Sequence, residues 1–230
     1  MTKQELKKQL ELLKVADHIN ELEELQKDTL KTNELFNLTA IKDEEKFREL
    51  MILDSLYPLS LINFDDKKVI DVGTGAGYPG LPLTICSSGD FTLLDSTKKK
   101  VDHINEYVKA RGFLRVLGVN GRAEEYAKSH RNEYDIAIAR AVSSLNILLE
   151  LIAPMLKVGG YFIAMKGAKG FEEIEESKRA LKELNMEVVE IQEITLPESK
   201  EKRINILIQK MKETKNKYPR AYGDIVNKPL

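Results

Sequence analysis

Lys67-Lys68-Val69-Ile70-Asp71-Val72-Gly73-Thr74-Gly75-Ala76-Gly77-Tyr78-Pro79-Gly80 starts as a short apolar run, reaches an acid, and then sets four glycines within eight residues. Val69, Ile70 and Val72 have the character of a buried parallel strand. The glycines read as a tight turn in which the backbone must pass close to something. Leu81 to Cys86 then resumes an apolar segment that suits a helix. Strand, glycine turn and helix in this order make the nucleotide-binding corner of a doubly wound α/β sheet.

Two nucleotide patterns overlap in the turn. Gly75-x-Gly77-x-x-Gly80 fits the dinucleotide fingerprint. Gly73-x-Gly75-x-Gly77 preceded by Asp71 fits the corresponding turn of S-adenosylmethionine (AdoMet) methyltransferases. A turn that binds nothing is the third reading. Four clustered glycines argue against it, because each adds chain entropy that folding must remove.

At 230 residues the chain has the size of one domain with a small extension, and 42% hydrophobic residues suffice for a sizeable core. A formal net charge of −1 means that any nucleic-acid surface is a local patch. The single cysteine, Cys86, forms no internal disulfide and reads as a small buried hydrophobe. Residues 1–20 lack the apolar core of a signal peptide, and no uncharged run approaches membrane-spanning length. A cytosolic protein without membrane association is expected.

Three divisions follow. Residues 1–62 form a helical extension packed on the sheet, with Leu6, Leu10 and Leu13 on one face and Ile19, Leu22 and Leu25 on another. Asp43 can cap a later helix carrying Phe47, Leu50, Met51 and Leu56. Residues 63–210 carry the sheet. Its later strands are Phe91–Asp95, Arg115–Val119, Tyr134–Ala139, Tyr161–Met165, Met186–Ile194 and Arg203–Gln209, with helices over 96–111, 143–156 and 172–184. Residues 211–230 form a basic tail, rich in polar residues and expected to add little core.

The connection between the last two strands is too short for a helical crossover, so they should pair antiparallel. Asp95 follows Gly75 by 20 residues, placed to accept hydrogen bonds from ribose hydroxyls or, more simply, to cap the next helix. Ala123 and Glu124 lie after the third strand, where loops line the cleft of an open sheet, and are candidates to touch an adenine. Arg140 closes the fourth strand, where a charge needs solvent or a partner. No Tyr-x-x-x-Lys pair and no strand-end histidine supplies the proton transfer of a dehydrogenase. His18, His103 and His130 fall in apparent surface and make no metal site.

A set of short elements now occurs together and in order. It comprises Asn37-Leu38-Thr39, Ile52-Leu53-Asp54-Ser55, the glycine turn through Pro82, Leu93-Leu94-Asp95-Ser96, Ser143-Ser144-Leu145, Lys166-Gly167 and Lys217-Tyr218-Pro219-Arg220. In these the chain resembles, over nearly its whole length, the bacterial 16S ribosomal RNA guanine-N7 methyltransferases, also called glucose-inhibited division protein B. The resemblance implies a Rossmann-like class I AdoMet methyltransferase fold of seven strands with an antiparallel last strand. It also implies AdoMet as cofactor, 16S rRNA or the small ribosomal subunit as partner, and a monomer. The cofactor positions it implies are Gly73, Gly75, Gly77, Tyr78, Asp95, Ala123, Glu124 and Arg140. Two departures stand out. Leu50 and Met51 occupy the places of the family's usual Arg-His pair, and Ala221-Tyr222-Gly223 the place of its Lys-Pro-Gly.

Guanine N7 carries an in-plane lone pair and no proton, so attack on a sulfonium methyl needs no general base. Positioning and stabilisation of the cationic product base carry the catalysis. Arg140, Lys166 and Arg203 are the candidates for that role, as groups that hold phosphates or the flipped base rather than move protons. Asp54 reads as an anchor for its helix. Residues 98–131 hold nine Lys/Arg against four Asp/Glu, and residues 210–230 six against two, so these two runs are the expected RNA surface. Two other classes fit the same residues: a small-molecule AdoMet- or NAD-dependent enzyme, and a non-catalytic RNA-binding module.

Overall fold

The computed structural model describes residues 1–230. Helix α1 (Lys3–Leu12) opens on a capping box formed by Thr2 and Glu5 and buries Leu6 and Leu10. A single 3-10 turn at Ala16–His18 leads into α2 (Ile19–Asn33), which buries Ile19, Leu22 and Leu25. Asp43 caps α3 (Glu44–Phe47), as its spacing predicts, by accepting from the Lys46 N–H. The chain then runs through a π-helical turn at Arg48–Leu53, α4 (Asp54–Leu56) and a 3-10 turn at Tyr57–Ser60.

Strands and helices then alternate: β1 (Lys68–Val72), α5 (Gly80–Ile85), β2 (Asp90–Asp95), α6 (Lys98–Arg111), β3 (Val116–Asn120), α7 (Ala123–Ser129), β4 (Tyr134–Arg140), α8 (Leu145–Ile152) and β5 (Leu156–Lys166). Gly112, in the left-handed region at φ 67, ends α6 where the sequence places the stop. The helix expected over 172–184 is instead two, α9 (Gly170–Glu176) and α10 (Lys178–Glu183), broken at the buried Ser177. β6 (Met186–Thr195) and β7 (Lys202–Lys210) follow, then α11 (Tyr222–Asn227).

The seven strands order β3-β2-β1-β4-β5-β7-β6. The first five in this order pair parallel, and β7 runs antiparallel to both β5 and β6. The strand order reverses between β1 and β4, so their carboxyl ends open the crevice where a ligand belongs. Alternate residues feed two cores on opposite faces. Val69, Leu93, Ile136, Ile138 and Ile163 join the N-terminal helices on one face. Ile70, Leu94, Ala137, Ala139 and Phe162 meet α8 and α10 on the other. No helix is long and apolar enough to cross a membrane.

Residues 211–230 are not a loose tail. Tyr218 and Ile225 are buried, and the Arg131 guanidinium donates to the carbonyls of Thr214 and Tyr218. Lys215 and Lys217 pair with Glu183, and Arg220 with the fully buried Glu150. The expectation of little core fails because a few isolated apolar residues fill gaps along α8 and α10. Three of the tail's cations accordingly meet internal carboxylates. His103 is likewise buried rather than on the surface. It faces Asp28 at 3.9 Å, and burial lowers its pKa.

Candidate active site

Asp71 organises the glycine turn. It is fully buried at the end of β1, and one carboxylate oxygen accepts from the Thr74 hydroxyl (2.7 Å) and the Gly80 N–H (2.8 Å). Its other oxygen has no partner. Burial pushes its pKa up from 3.8 to about 6, against the pull of those two hydrogen bonds and of Arg140. A carboxyl raised in this way binds more protons folded than unfolded, so its ionisation lowers stability as pH rises from about 4 to about 6. Thermal melts of wild type and Asp71→Asn across that window should therefore shift steadily in favour of the variant. A constant offset at every pH would mean that Asp71 does not titrate there.

The turn that Asp71 holds is left-handed at Gly73 (φ 74), Gly75 (φ 61) and Gly77 (φ 94). Gly73 and Gly75 line the crevice. Gly77 lines neither of its cavities: a Cβ there would meet Leu81 at 2.4 Å, so Gly77 serves the turn itself. Tyr78 is buried, with its hydroxyl on Thr29 (3.0 Å) and its ring edge-on to Phe47. It joins the glycine turn to the N-terminal helices and offers the crevice only its packed ring.

The crevice has two lobes that share Gly73, Gly75, Ala141, Val142 and Ser143. The smaller, about 320 Å³, gathers Asp95, Ala123, Glu124, Ile147, Leu151 and Tyr222 around apolar walls. Asp95 accepts from the Gly75 N–H (2.9 Å) with one oxygen and from the Thr97 N–H (2.8 Å) with the other. A carboxylate has about four acceptor positions, so two remain for a ligand's hydroxyls. Asp95 thus steadies the approach to α6, whose N-cap is Thr97 rather than Asp95 itself, and it fronts the lobe. Ala123 and Glu124 lie beside it, with Glu124 accepting from the Arg122 guanidinium (2.9 Å). A lobe with acceptors at one end and aliphatic walls can hold a nucleoside.

The larger lobe, about 890 Å³, lies between the carboxyl ends of β4 and β5, the amino end of the antiparallel β7 and the N-terminal extension. Asn33 accepts from the Leu38 (2.7 Å) and Thr39 (2.9 Å) N–H groups and so fixes the Asn-Leu-Thr loop in its wall. At its base one oxygen of the buried Asp54 carboxylate takes both Arg140 (3.3 Å) and Arg203 (3.2 Å). Arg140 also donates to the Leu50 carbonyl and the Ser55 hydroxyl, each at 3.2 Å. Arg140 therefore stands in the larger lobe, apart from the Asp95 group. Lys166 is buried, paired with Glu173 (2.8 Å) and donating to the Ser143 carbonyl, so it fixes the 143–145 loop.

The sequence thus brings Gly73, Gly75, Asp95, Ala123 and Glu124 to one lobe, and Arg140, Lys166 and Arg203 to the other. It misses Asp54 as the hub of two arginines, Val142 as the divider between lobes, and Tyr222. Asp54 is signalled within Ile52-Leu53-Asp54-Ser55 only as an acid in an apolar helix. Tyr222 is signalled only by an aromatic where the resemblance breaks.

A family model described as rRNA small subunit methyltransferase G (GidB) matches residues 18–204. The ribosomal RNA small subunit methyltransferase G of Alkaliphilus metalliredigens is 45% identical over 205 residues, 87% of this chain and 86% of that protein. Its counterpart in Fusobacterium nucleatum is 42% identical over 228 residues, 97% of this chain and 98% of that one. Among solved structures, a SAM dependent methyltransferase from Aquifex aeolicus superposes with TM-score 0.55 at 19% identity, covering 73% of this chain and 94% of that chain. M. jannaschii TYW2 in complex with AdoMet gives 0.55 at 15% identity, covering 65% of this chain and 72% of that chain. At such identities these two speak for the shared fold alone, the Rossmann-like class I methyltransferase architecture expected from the sequence. The match of family model and full-length relatives decides the rest: this chain belongs to the rRNA small subunit methyltransferase G (GidB) family.

Proposed function

We propose that the protein transfers a methyl group from AdoMet to N7 of a guanine in 16S ribosomal RNA. The observation that carries this reading is the pair of lobes meeting at Gly73, Gly75 and Val142, one suited to a nucleoside and the other to an incoming base. Asp95 would take ribose hydroxyls, Ala123 and Glu124 would flank the adenine, and the side-chain-free Gly73 and Gly75 would let the ligand approach the backbone. Bound there, AdoMet supplies an electrophilic methyl on a sulfonium.

The larger lobe favours an acceptor that needs no deprotonation. Each of its carboxylates is already paired: Asp54 with Arg140 and Arg203, Glu173 with Lys166, and Glu201 with Arg203. No free base remains in it, and guanine N7 requires none. Leu38, Ile41, Leu50 and Met51 provide apolar surface for a base turned out of its stack. Arg203, held by Asp54 and Glu201, is the candidate to meet RNA phosphate at the rim. A ribosomal substrate supports work in the cytoplasm.

Incubating small subunits or 16S rRNA with protein and AdoMet, then mapping 7-methylguanosine, tests the reading. A single modified guanine is expected with wild type. With Asp95→Ala the yield at limiting AdoMet should fall in step with a cofactor affinity weaker by roughly 1–3 kcal/mol, the range for losing a charged hydrogen-bond partner. AdoMet binding without RNA methylation would favour a small-molecule enzyme. RNA binding without AdoMet binding would favour a non-catalytic module.

A further inference from the structure

The C-terminal segment reaches the smaller lobe, and it does so through an aromatic ring. Arg220 donates from its backbone N–H (3.0 Å) and its Nε (2.8 Å) to Glu150 on α8, and from its Nη1 to the Lys228 carbonyl (3.0 Å). It thus ties both ends of α11 to the body. Ile225, fully buried, packs with Ile147 and Leu151, two residues that also line the smaller lobe. Between these anchors Tyr222 stands in the wall of that lobe, still 40% exposed. The Arg122 guanidinium lies over its ring, 4.2 Å from the centroid, and is itself held by Glu124. Ring, guanidinium and carboxylate form one aligned group beside Ala123.

We propose that Tyr222 is a base-stacking residue of this lobe: its ring packs against the purine of the bound nucleoside, opposite the aliphatic wall of Ile147 and Leu151. The proposal rests on the reading of the smaller lobe as the adenosine subsite. A half-exposed aromatic ring fixed from both sides loses little freedom when a base is laid on it, and every purine has a π-face to offer. Arg122 lies over the ring, and the ring still stands in the wall of the lobe, 40% exposed. Residue 222 lies beyond residues 18–204, the part matched by the family model. The tail then has a part in cofactor binding as well as in stability.

The chain contains no tryptophan, so Tyr222→Trp installs a sole fluorophore of that kind at this position. S-adenosylhomocysteine, titrated calorimetrically, is expected to bind Tyr222→Phe within about twofold of wild type and Tyr222→Ala about tenfold more weakly, as for loss of one aromatic stacking partner. Fluorescence of Tyr222→Trp should be quenched by S-adenosylhomocysteine and by adenosine, and not by homocysteine. Equal affinity of wild type and Tyr222→Ala, or an indole emission in Tyr222→Trp that neither nucleoside quenches, overturns the proposal. So does a Tyr222→Phe variant as weak as Tyr222→Ala, because the hydroxyl and not the ring would then be the contact. Failure of wild type itself to bind S-adenosylhomocysteine overturns the adenosine reading beneath it. Should Tyr222→Ala not fold, the Phe and Trp variants decide the matter alone.

Discussion

A Gly73→Arg variant is expected to fold and to lose AdoMet binding altogether. Gly73 sits at φ 74, where a residue with a side chain is strained by about 1–2 kcal/mol. A Cβ at this position would stand 2.4 Å from a Val142 methyl, so the 141–144 loop must move. Val142 is 41% exposed and lies at the rim of the crevice rather than in the sheet's core, so the displacement is absorbed without unfolding the domain. The remaining guanidinium stem then occupies the junction of the two lobes, the one place that a ligand spanning both cannot avoid. Circular dichroism should show native secondary structure, and calorimetry should show no heat with S-adenosylhomocysteine. Unchanged affinity in a folded variant would remove Gly73 from the site. Gly75→Ala is a milder companion: open space surrounds its Cβ, and only its φ of 61 resists the change.

These glycines were legible in the sequence because their signal is local. An apolar strand, an acid and spaced glycines occur within one short run, and backbone sterics permit few conformations for it. The same holds for Asp95, which closes a strand at a set distance from the turn. The parallel sheet and the antiparallel β7 followed from strand runs and from one short connection. Asp54, Arg140 and Arg203 illustrate the opposite case. They come from a helix and two strands far apart in the chain, and only the folded sheet brings both guanidiniums onto one carboxylate oxygen. Each by itself reads as an ordinary charge. Leu50 and Met51, which look like a loss of positive charge, prove to be part of the apolar lining of the larger lobe. The tail misleads in a similar way. Tyr218 and Ile225 lie in a mostly polar stretch with no periodicity to mark a face, yet both are buried.

Arg220→Met is expected to be the most destabilising single change in that tail. Glu150 is fully buried on α8, and Arg220 supplies its counter-charge through the guanidinium and a further hydrogen bond through the backbone. Removing one partner of a buried pair leaves an uncompensated charge, and such losses run to about 3–5 kcal/mol. The Arg220 side chain is 25% exposed, so water can reach part of the vacated site, and the lower end of that range applies here. For a domain of this size about 3 kcal/mol corresponds to a fall in melting temperature of roughly 6–12 °C. S-adenosylhomocysteine affinity should fall as well, because the same anchor holds Tyr222 in the smaller lobe. Glu150→Leu combined with Arg220→Met separates charge from packing. An apolar pair of similar volume is often as stable as the ion pair it replaces, so the double variant should recover most of the lost melting temperature. Cofactor affinity should recover with it if α11 stays docked through Ile225. A single Arg220→Met variant that melts with wild type would mean that the Glu150 carboxylate is already served by water. A double variant that regains stability without cofactor affinity would mean that Arg220, beyond neutralising Glu150, sets the position of Tyr222.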